Sequence, residues 1–234
     1  MKTIIMLLII QCAFFNLNAQ TYAIIKDADG YANIRDEANN NARIVTRIAN
    51  GKFVAVNEEE SDINWIKIYA EDSSSGYIHK SRIKLIAKLP SLKTKRVHKN
   101  RCTLSNDTVS VTVISTAFNP KFHNFEYYKD GKGRINKADI VKIDGHNVWG
   151  EDGGIPKTEF SSISMFMGGV HISLPKSSFK DLYQPVFDNL HVYIGEANTF
   201  YIKMDNSDGA GSYTVIWTIK DGKYINRYID NSGA

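Results

Sequence analysis

The sequence predicts an all-β protein with a small N-terminal barrel and a larger C-terminal antiparallel β-sandwich or half-barrel with one short helix. Short runs rich in β-branched and aromatic residues recur along the chain, and Gly, Asn, Asp or Ser bounds most of them. Asn50-Gly51 and Asp221-Gly222 are dipeptides typical of tight hairpin turns. Only one segment, 177–183, has the flanking residues of a helix. These observations favour a mainly β fold.

The barrel is predicted from four strand-like blocks between residues 20 and 87. The blocks begin at Gly30, Gly51, Asn64 and Gly76, and each continues into a short apolar run. The turn at Asn50-Gly51 predicts a hairpin between 44–48 and 52–57. Such strands, separated by polar turns, are expected to close into a compact antiparallel barrel.

The same blocks carry a specific residue pattern. It comprises an Asn-hydrophobic-Arg strand at 33–35, a Gly-Lys turn at 51–52, Trp65 at the start of a hydrophobic strand, and a closing Gly-aromatic-hydrophobic-His at 76–79. In their order and spacing, residues 21–87 resemble the bacterial SH3 (SH3b) family. The resemblance implies an SH3-like barrel that binds cell-wall peptide, peptidoglycan or another envelope component such as an envelope protein.

Residues 1–19 are predicted to be a signal peptide that is not part of the fold. Lys2 precedes an unbroken apolar run at 4–10, and a polar segment ending in a small residue predicts cleavage before Gln20. The run is well short of the ~20 apolar residues that a membrane-spanning helix needs. Gln11 precedes Cys12, where a lipoprotein signal has a small residue. We therefore expect a periplasmic or secreted protein with no stable membrane span.

A basic segment separates the two predicted domains. No acidic residue stands between Asp72 and Asp107. The basic residues of this interval are Lys80, Arg82, Lys84, Lys88, Lys93, Lys95, Arg96, Lys99 and Arg101. We interpret 88–99, which contains Pro90, as a basic linker between a barrel at 20–87 and a C-terminal β domain at 100–234.

Two interpretations of this basic segment stay open. It is either a solvated spacer or a surface for an anionic partner such as a cell-wall polymer or lipid head groups. The formal net charge of the whole chain is only +4. That value does not indicate nucleic acid as the partner of an exported protein.

The C-terminal domain is predicted from a strongly β-branched run at 108–116 and from hairpins about Gly168-Gly169 and Asp221-Gly222. Its one short helix is predicted at 177–183, between two prolines. The segments 148–156, Pro175 with 181–183, and 208–213 resemble parts of uncharacterised domains of exported bacterial proteins. That resemblance implies no activity.

No recognisable catalytic or metal-binding motif is present in the sequence. Cys102 would be the only cysteine after cleavage, and its flanking residues differ from those of the NlpC/P60 cell-wall peptidases. The glycine-rich segment 129–139 has some features of an EF-hand loop, but Lys132 falls at a ligand position and would repel Ca²⁺. We predict a non-catalytic protein with no cofactor and no metal site.

The candidate ligand-binding residues are aromatic or lie beside an aromatic residue. Tyr31, Trp65 and Tyr77 are the barrel aromatics nearest to the loops that the family resemblance implies for ligand binding. Trp65 has a second interpretation as a core residue, because its strand must bury something large. Trp149 stands beside a glycine-rich loop that also contains Asp152. These five residues are the predicted site.

We expect the chain to be an exported binding protein, and two alternatives stay open. One is a cell-wall hydrolase with its active site in the C-terminal domain, which predicts a cleft where carboxylates or histidines converge. The other is an exported inhibitor or protein-interaction module, which predicts a protruding loop at Trp149. The binding protein itself predicts an open groove beside Tyr31 and Tyr77.

Overall fold

The computed structural model describes residues 20–207 and 209–231, so the predicted signal peptide lies outside the described residues. Four sheets with antiparallel strand pairing account for most of this part of the chain. Its helices are all three-residue 3₁₀ turns. The predicted all-β fold class is confirmed.

Seven strands form the N-terminal barrel sheet. They are β1 (Thr21–Ile25), β2 (Tyr31–Arg35), β3 (Ile44–Ala49), β4 (Phe53–Asn57), β5 (Trp65–Tyr69), β6 (Ser75–His79) and β7 (Ile83–Leu85). Their order in the sheet is β3-β2-β6-β5-β4-β1-β7. Alternate side chains point inward, and Ala32, Ile34, Ile68 and Ile78 are fully buried in the barrel core. Gly76 is required where β6 lies beside β2, because a Cβ there would lie 2.5 Å from the Arg35 carbonyl oxygen.

The hairpin predicted at Asn50-Gly51 does not form. Strand β3 pairs with β2, whereas β4 pairs with β1 and β5. The turn is held by other partners: the Asn50 side chain accepts from the Asp27 amide and donates to the Asp27 carbonyl, and the Gly51 amide donates to the Ile25 carbonyl. These bonds direct the chain from one side of the barrel to the other.

The described residues of the C-terminal part form twelve strands. They are β8 (Thr94–His98), β9 (Arg101–Ser105), β10 (Val109–Ala117), β11 (Phe125–Lys129), β12 (Ile135–Ile143), β13 (His146–Asn147), β14 (Thr158–Met167), β15 (Val170–Ser173), β16 (Leu190–Ile194), β17 (Thr199–Asn206), β18 (Tyr213–Lys220) and β19 (Lys223–Asp230). They form a five-stranded sheet β15-β14-β10-β9-β8, a three-stranded sheet β11-β12-β13 and a four-stranded sheet β16-β17-β18-β19.

The five-stranded and four-stranded sheets pack face to face as a sandwich. Their shared core includes Val111 and Val113 from one sheet and Ile202 and Trp217 from the other. The indole Nε1 of Trp217 donates to the carbonyl of Ser178 at 2.8 Å, so even its polar atom is satisfied inside the core. The three-stranded sheet packs separately against a smaller aromatic cluster.

The barrel packs on the other face of the four-stranded sheet. Tyr22 and Phe53 of the barrel share a buried cluster with Ile216 and Tyr228 of the sheet. The ring centroids of Phe53 and Tyr228 lie 5.6 Å apart. The four-stranded sheet therefore has two buried faces.

The segment 88–99, predicted as a basic linker, is built into the structure. Leu89 and Leu92 are buried, and the Leu92 amide donates to the Val192 carbonyl at 2.9 Å. The Ile194 amide donates to the Pro90 carbonyl at 2.7 Å, so this segment covers the free edge of β16. Residues 94–98 then form β8. This segment is therefore not a solvated spacer. Its two leucines are buried in apolar cores, and the edge of β16 supplies hydrogen-bond partners for its backbone.

The predicted short helix at 177–183 is a single 3₁₀ turn, Lys176–Ser178. The Ser178 hydroxyl donates to the carbonyl of Pro175 at 2.7 Å. The other 3₁₀ turns are Lys80–Arg82, Ile86–Lys88, Pro120–Phe122, Phe187–Asn189 and Gly209–Gly211. The carbonyl of Ser178, the last residue of this turn, accepts the hydrogen bond from Trp217.

Candidate ligand-binding surfaces

Two of the predicted barrel residues lie on one outward surface. The alternation of β2 places Tyr31 and Arg35 on its outward side, and Arg35 is the register partner of Tyr77 on β6. Tyr31 stands four positions along β2 from Arg35, which corresponds to about 13 Å. The two tyrosines therefore flank a shared outward surface and do not stack on each other.

Each of these tyrosines has a cation beside its ring. The guanidinium carbon of Arg47 lies 5.1 Å from the ring centroid of Tyr31, and Arg47 Nε donates to the Asn33 side chain at 3.1 Å. The ammonium of Lys67 lies 5.7 Å from the ring centroid of Tyr77. We name this surface the tyrosine face and define it by Tyr31, Asn33, Arg35, Arg47, Lys67 and Tyr77.

The Lys67 ammonium of the tyrosine face is held in its charged form by a neighbouring carboxylate. A hydrogen bond from Lys67 to Glu60, 2.7 Å long, raises the pKa of the Lys67 ammonium. An aromatic ring beside a cation can contact the apolar part of a ligand while the cation pairs with a carboxylate. The tyrosine face thus has the chemistry for an acidic peptide.

Trp65, the third barrel residue of the predicted site, is part of the barrel wall. Its side chain is only 8% exposed, and its ring meets the His79 ring edge-on at 5.4 Å between centroids. Its amide donates to the Asp62 carboxylate at 2.6 Å. This burial does not favour a ligand-facing role for Trp65, although alternation along β5 places it on the same side of the strand as Lys67.

Trp149 is half-buried, and its backbone is tied to a neighbouring segment. Its carbonyl accepts from the Tyr183 amide at 2.8 Å, and its amide donates to the Asp181 carbonyl at 3.4 Å. Gly150 follows with φ 104°, and a Cβ there would clash with the Tyr183 carbonyl. This geometry does not provide the protruding loop that the inhibitor alternative requires.

Trp149 lines a cleft between the barrel and the C-terminal part, with a volume of about 590 Å³. The barrel contributes Tyr69 and Glu71, and β19 contributes Arg227 and Asp230. Asp152, although exposed, does not line it. The structure therefore separates the predicted site into three places: the tyrosine face, the cleft at Trp149, and the exposed loop at Asp152.

The polar groups of the cleft are largely engaged. Arg227 donates to both carboxylate oxygens of Asp181, each at 2.6 Å, and Tyr22 donates to Asp230 at 2.8 Å. Burial raises the pKa of Tyr228, and the negative charges of Asp230 and Glu71 raise it further, so this phenol stays neutral. The cleft thus combines aromatic side chains with two carboxylates, Glu71 from the barrel and Asp230 from β19.

Cys102 does not have the environment of a nucleophile. The side chain is buried, and burial raises the pKa of its thiol. A catalytic cysteine needs the opposite shift, because the thiolate is the reactive form. In residues 20–207 and 209–231, no group of three or more His, Cys, Asp or Glu side chains is placed to hold a metal ion.

Sequence reasoning missed the cations of the tyrosine face and the polar residues of the cleft. Arg47 could have been found from the register of β2 with β3, which sets it opposite Asn33. Glu71, Arg227 and Asp230 come from distant parts of the chain and carry no local signal. Only the packing of the barrel against β19 brings them together.

Across the described part of the chain, no helix has the length and apolar character to cross a membrane. A search of curated proteins gave no match to the chain. Residues 30–84 match the family model of the bacterial SH3 domain. The match spans β2 to the middle of β7 and includes Tyr31, Arg47 and Tyr77. The N-terminal barrel is therefore a bacterial SH3 domain, which indicates a cell-wall or peptide-binding module.

Proposed function

We propose that the chain is an exported, non-catalytic binding protein whose SH3 domain recognises cell-wall peptide or another envelope component through the tyrosine face. One observation carries this proposal: the C-terminal part covers one side of the barrel and leaves the tyrosine face open. Tyr22 and Phe53 lie under the four-stranded sheet, whereas Tyr31 is 37% exposed.

The chemistry of the tyrosine face suits such a ligand. Peptides of the cell wall carry carboxylates and short aliphatic side chains. A carboxylate can pair with Arg47, whose guanidinium has only the neutral Asn33 side chain as partner, and an aliphatic group can pack on the ring of Tyr31 or Tyr77. The predicted signal peptide supports a location where the cell wall is accessible.

Co-sedimentation with purified peptidoglycan tests this proposal. We expect the chain from Gln20 to pellet with peptidoglycan, and Tyr31→Ala/Tyr77→Ala to bind at least about tenfold more weakly. The matched control is Phe122→Ala/Tyr128→Ala, since these two aromatics are also exposed but lie outside the barrel. Equal pelleting of the parent and the Tyr31/Tyr77 variant would refute the tyrosine face as the binding surface.

A second candidate function, cell-wall hydrolysis, is favoured by the cleft. Glu71 from the barrel and Asp230 from β19 both line it, and a pair of carboxylates flanking the substrate is the basis of glycoside hydrolysis. An assay for the release of reducing sugar ends from peptidoglycan distinguishes the two functions. Release that is lost in both Glu71→Gln and Asp230→Asn would establish the hydrolase and refute the non-catalytic proposal.

A further inference from the structure

The outer face of the five-stranded sheet carries a row of hydroxyl groups. The row runs in register across the five strands. It consists of the hydroxyl residues Ser173, Ser164, Thr112 and Thr103, and it ends in Arg96 on β8. The hydroxyls of Thr103 and Thr112 are hydrogen-bonded at 3.0 Å. We name this surface the hydroxyl face. Its opposite side is the sandwich core, so alternation along the strands directs these groups away from the core.

An exposed aromatic ring stands in the neighbouring row. Phe166 is 49% exposed and is the register partner of Ser110. Neighbouring strands lie about 4.8 Å apart, so adjacent side chains within one row are spaced by about that distance. This spacing is close to the width of a sugar ring. A Ser or Thr hydroxyl both donates and accepts, which suits a sugar hydroxyl as partner.

Two arginines, on β8 and β9 of the hydroxyl face, have no hydrogen-bonded partner for the guanidinium among the described residues. Six of the eight arginines of the chain have a hydrogen-bonded partner for the guanidinium. Arg96 and Arg101 have none among residues 20–207 and 209–231. Arg101 pairs with His98, which stands two positions from Arg96 on the same side of β8. The two guanidinium groups are therefore diagonal neighbours whose positive charges repel each other.

Carboxylates are scarce around these arginines. Strands β8, β9, β10 and β15 contain no acidic residue, and β14 contains only Glu159. Glu159 stands at the same end of the sheet as Arg101, but β10 lies between their strands, and a carboxylate oxygen of Glu159 is 3.7 Å from the His123 ring. An anion at Arg96 and Arg101 would relieve their repulsion without competing with a local carboxylate.

We infer that the hydroxyl face binds an acidic polysaccharide. The carboxylates of the chain pair with Arg96 and Arg101, its hydroxyls bond to the Ser and Thr row, and a sugar ring packs on Phe166. This assignment makes the basic segment of the sequence part of a binding surface. It adds a second surface to the protein and does not depend on the ligand of the tyrosine face.

Binding to polygalacturonate, with neutral dextran as the comparison polymer, tests this inference in the chain from Gln20. We expect binding to polygalacturonate and none to dextran. Arg96→Gln/Arg101→Gln should weaken binding at least about tenfold. The control Arg43→Gln/Arg134→Gln removes the same charge from two exposed arginines that already pair with Asp36 and Asp130, and should stay within about twofold of the parent.

Two further variants separate the contribution of the hydroxyl groups from that of the arginines, and the hydroxyl face from the tyrosine face. Thr112→Val keeps the charge and removes a central hydroxyl, so a severalfold loss is expected. Tyr31→Ala/Tyr77→Ala should bind polygalacturonate like the parent, so the two binding surfaces can fail independently. Thermal unfolding of each variant identifies any loss that comes from misfolding.

Three results would overturn the inference. The first is no binding of the parent to polygalacturonate. The second is an equal loss in the Arg96/Arg101 variant and the Arg43/Arg134 control, which would indicate net charge alone. The third is equally tight, Arg96- and Arg101-dependent binding of duplex DNA or anionic lipid vesicles, which would show that the face selects charge and not sugar.

Discussion

Ile216 and Trp217 are consecutive residues of β18, and their fully buried side chains lie in two different cores. Trp217 belongs to the sandwich core, and Ile216 belongs to the cluster shared with the SH3 domain. Antiparallel sheets commonly leave one face to solvent, and their strands then alternate between apolar and polar residues. Here both faces are covered, which explains the unbroken apolar run at 215–217. The SH3 domain and the C-terminal part are thus coupled through one sheet.

The first prediction concerns this coupling. Ile216→Ala should lower the free energy of unfolding by about 2–5 kcal/mol, because it opens a cavity between the two parts. Ile225→Ala on β19 is the control, since that side chain is 52% exposed and should cost less than about 1 kcal/mol. Urea unfolding followed by circular dichroism and by tryptophan fluorescence measures both. Well-separated transitions in the parent would contradict the coupling.

The second prediction concerns the ion pair at the cleft. Asp181→Asn should destabilise the protein by about 2 kcal/mol, because it leaves the Arg227 charge without its carboxylate while Arg227 is still partly solvated. Asp130→Asn breaks an exposed pair with Arg134 and should cost less than about 1 kcal/mol. Denaturant unfolding compares the two. A cost for Asp130→Asn as large as that for Asp181→Asn would contradict this ranking.

The third prediction concerns the stability of the protein at acid pH. Hydrogen bonds from Lys26 and Lys84 lower the pKa of Glu196 to about 2, from an ordinary value of 4.5. A carboxyl whose pKa is lowered by folding contributes stability above its unfolded pKa and loses it as the pH falls through the folded value. The stability difference between the parent and Glu196→Gln should therefore be constant above about pH 5 and disappear towards pH 2.

Thermal unfolding of the parent and Glu196→Gln from pH 2 to pH 7 checks this dependence. About 1 M salt should shrink the difference at neutral pH, because the groups are exposed. A difference that grows on acidification would have the wrong sign for a lowered carboxyl pKa.

The fourth prediction concerns Cys102. Because the thiol is buried and its pKa is raised, it should react with a thiol reagent such as DTNB only as fast as the protein opens. In denaturant, reaction should be fast. Rapid reaction of Cys102 in the native protein would contradict its burial and would reopen a catalytic role for this residue.

Much of the fold could be predicted from local sequence. The residue pattern at 33–35, 51–52, 65 and 76–79 was enough to expect a bacterial SH3 barrel, and residues 30–84 match that family model. Turn residues placed the Gly168-Gly169 hairpin, where both glycines have positive φ and Met167 pairs with Val170. These features depend on neighbours in the chain, which a sequence pattern reports directly.

The features that could not be predicted depend on distant partners. Asn50-Gly51 has the residues of a hairpin, but its polar groups bond to Asp27 and Ile25, so β3 and β4 separate. The segment 88–99 has the composition of a linker, but Pro90 and Leu92 bond to the free edge of β16 and residues 94–98 pair with β9. Arg96 and Arg101 are basic in the sequence, and only the structure shows that neither guanidinium has a hydrogen-bonded partner among residues 20–207 and 209–231.

An NMR titration of the chain from Gln20 with soluble peptidoglycan fragments tests the central claim most directly. Binding at the tyrosine face predicts that amide shifts concentrate at residues 31–35, 44–49 and 75–79, and that Tyr31→Ala/Tyr77→Ala abolishes them. Shifts confined to the cleft around Trp149 and Arg227, or no shifts at any concentration reached, would contradict recognition of the cell wall by this face of the SH3 domain.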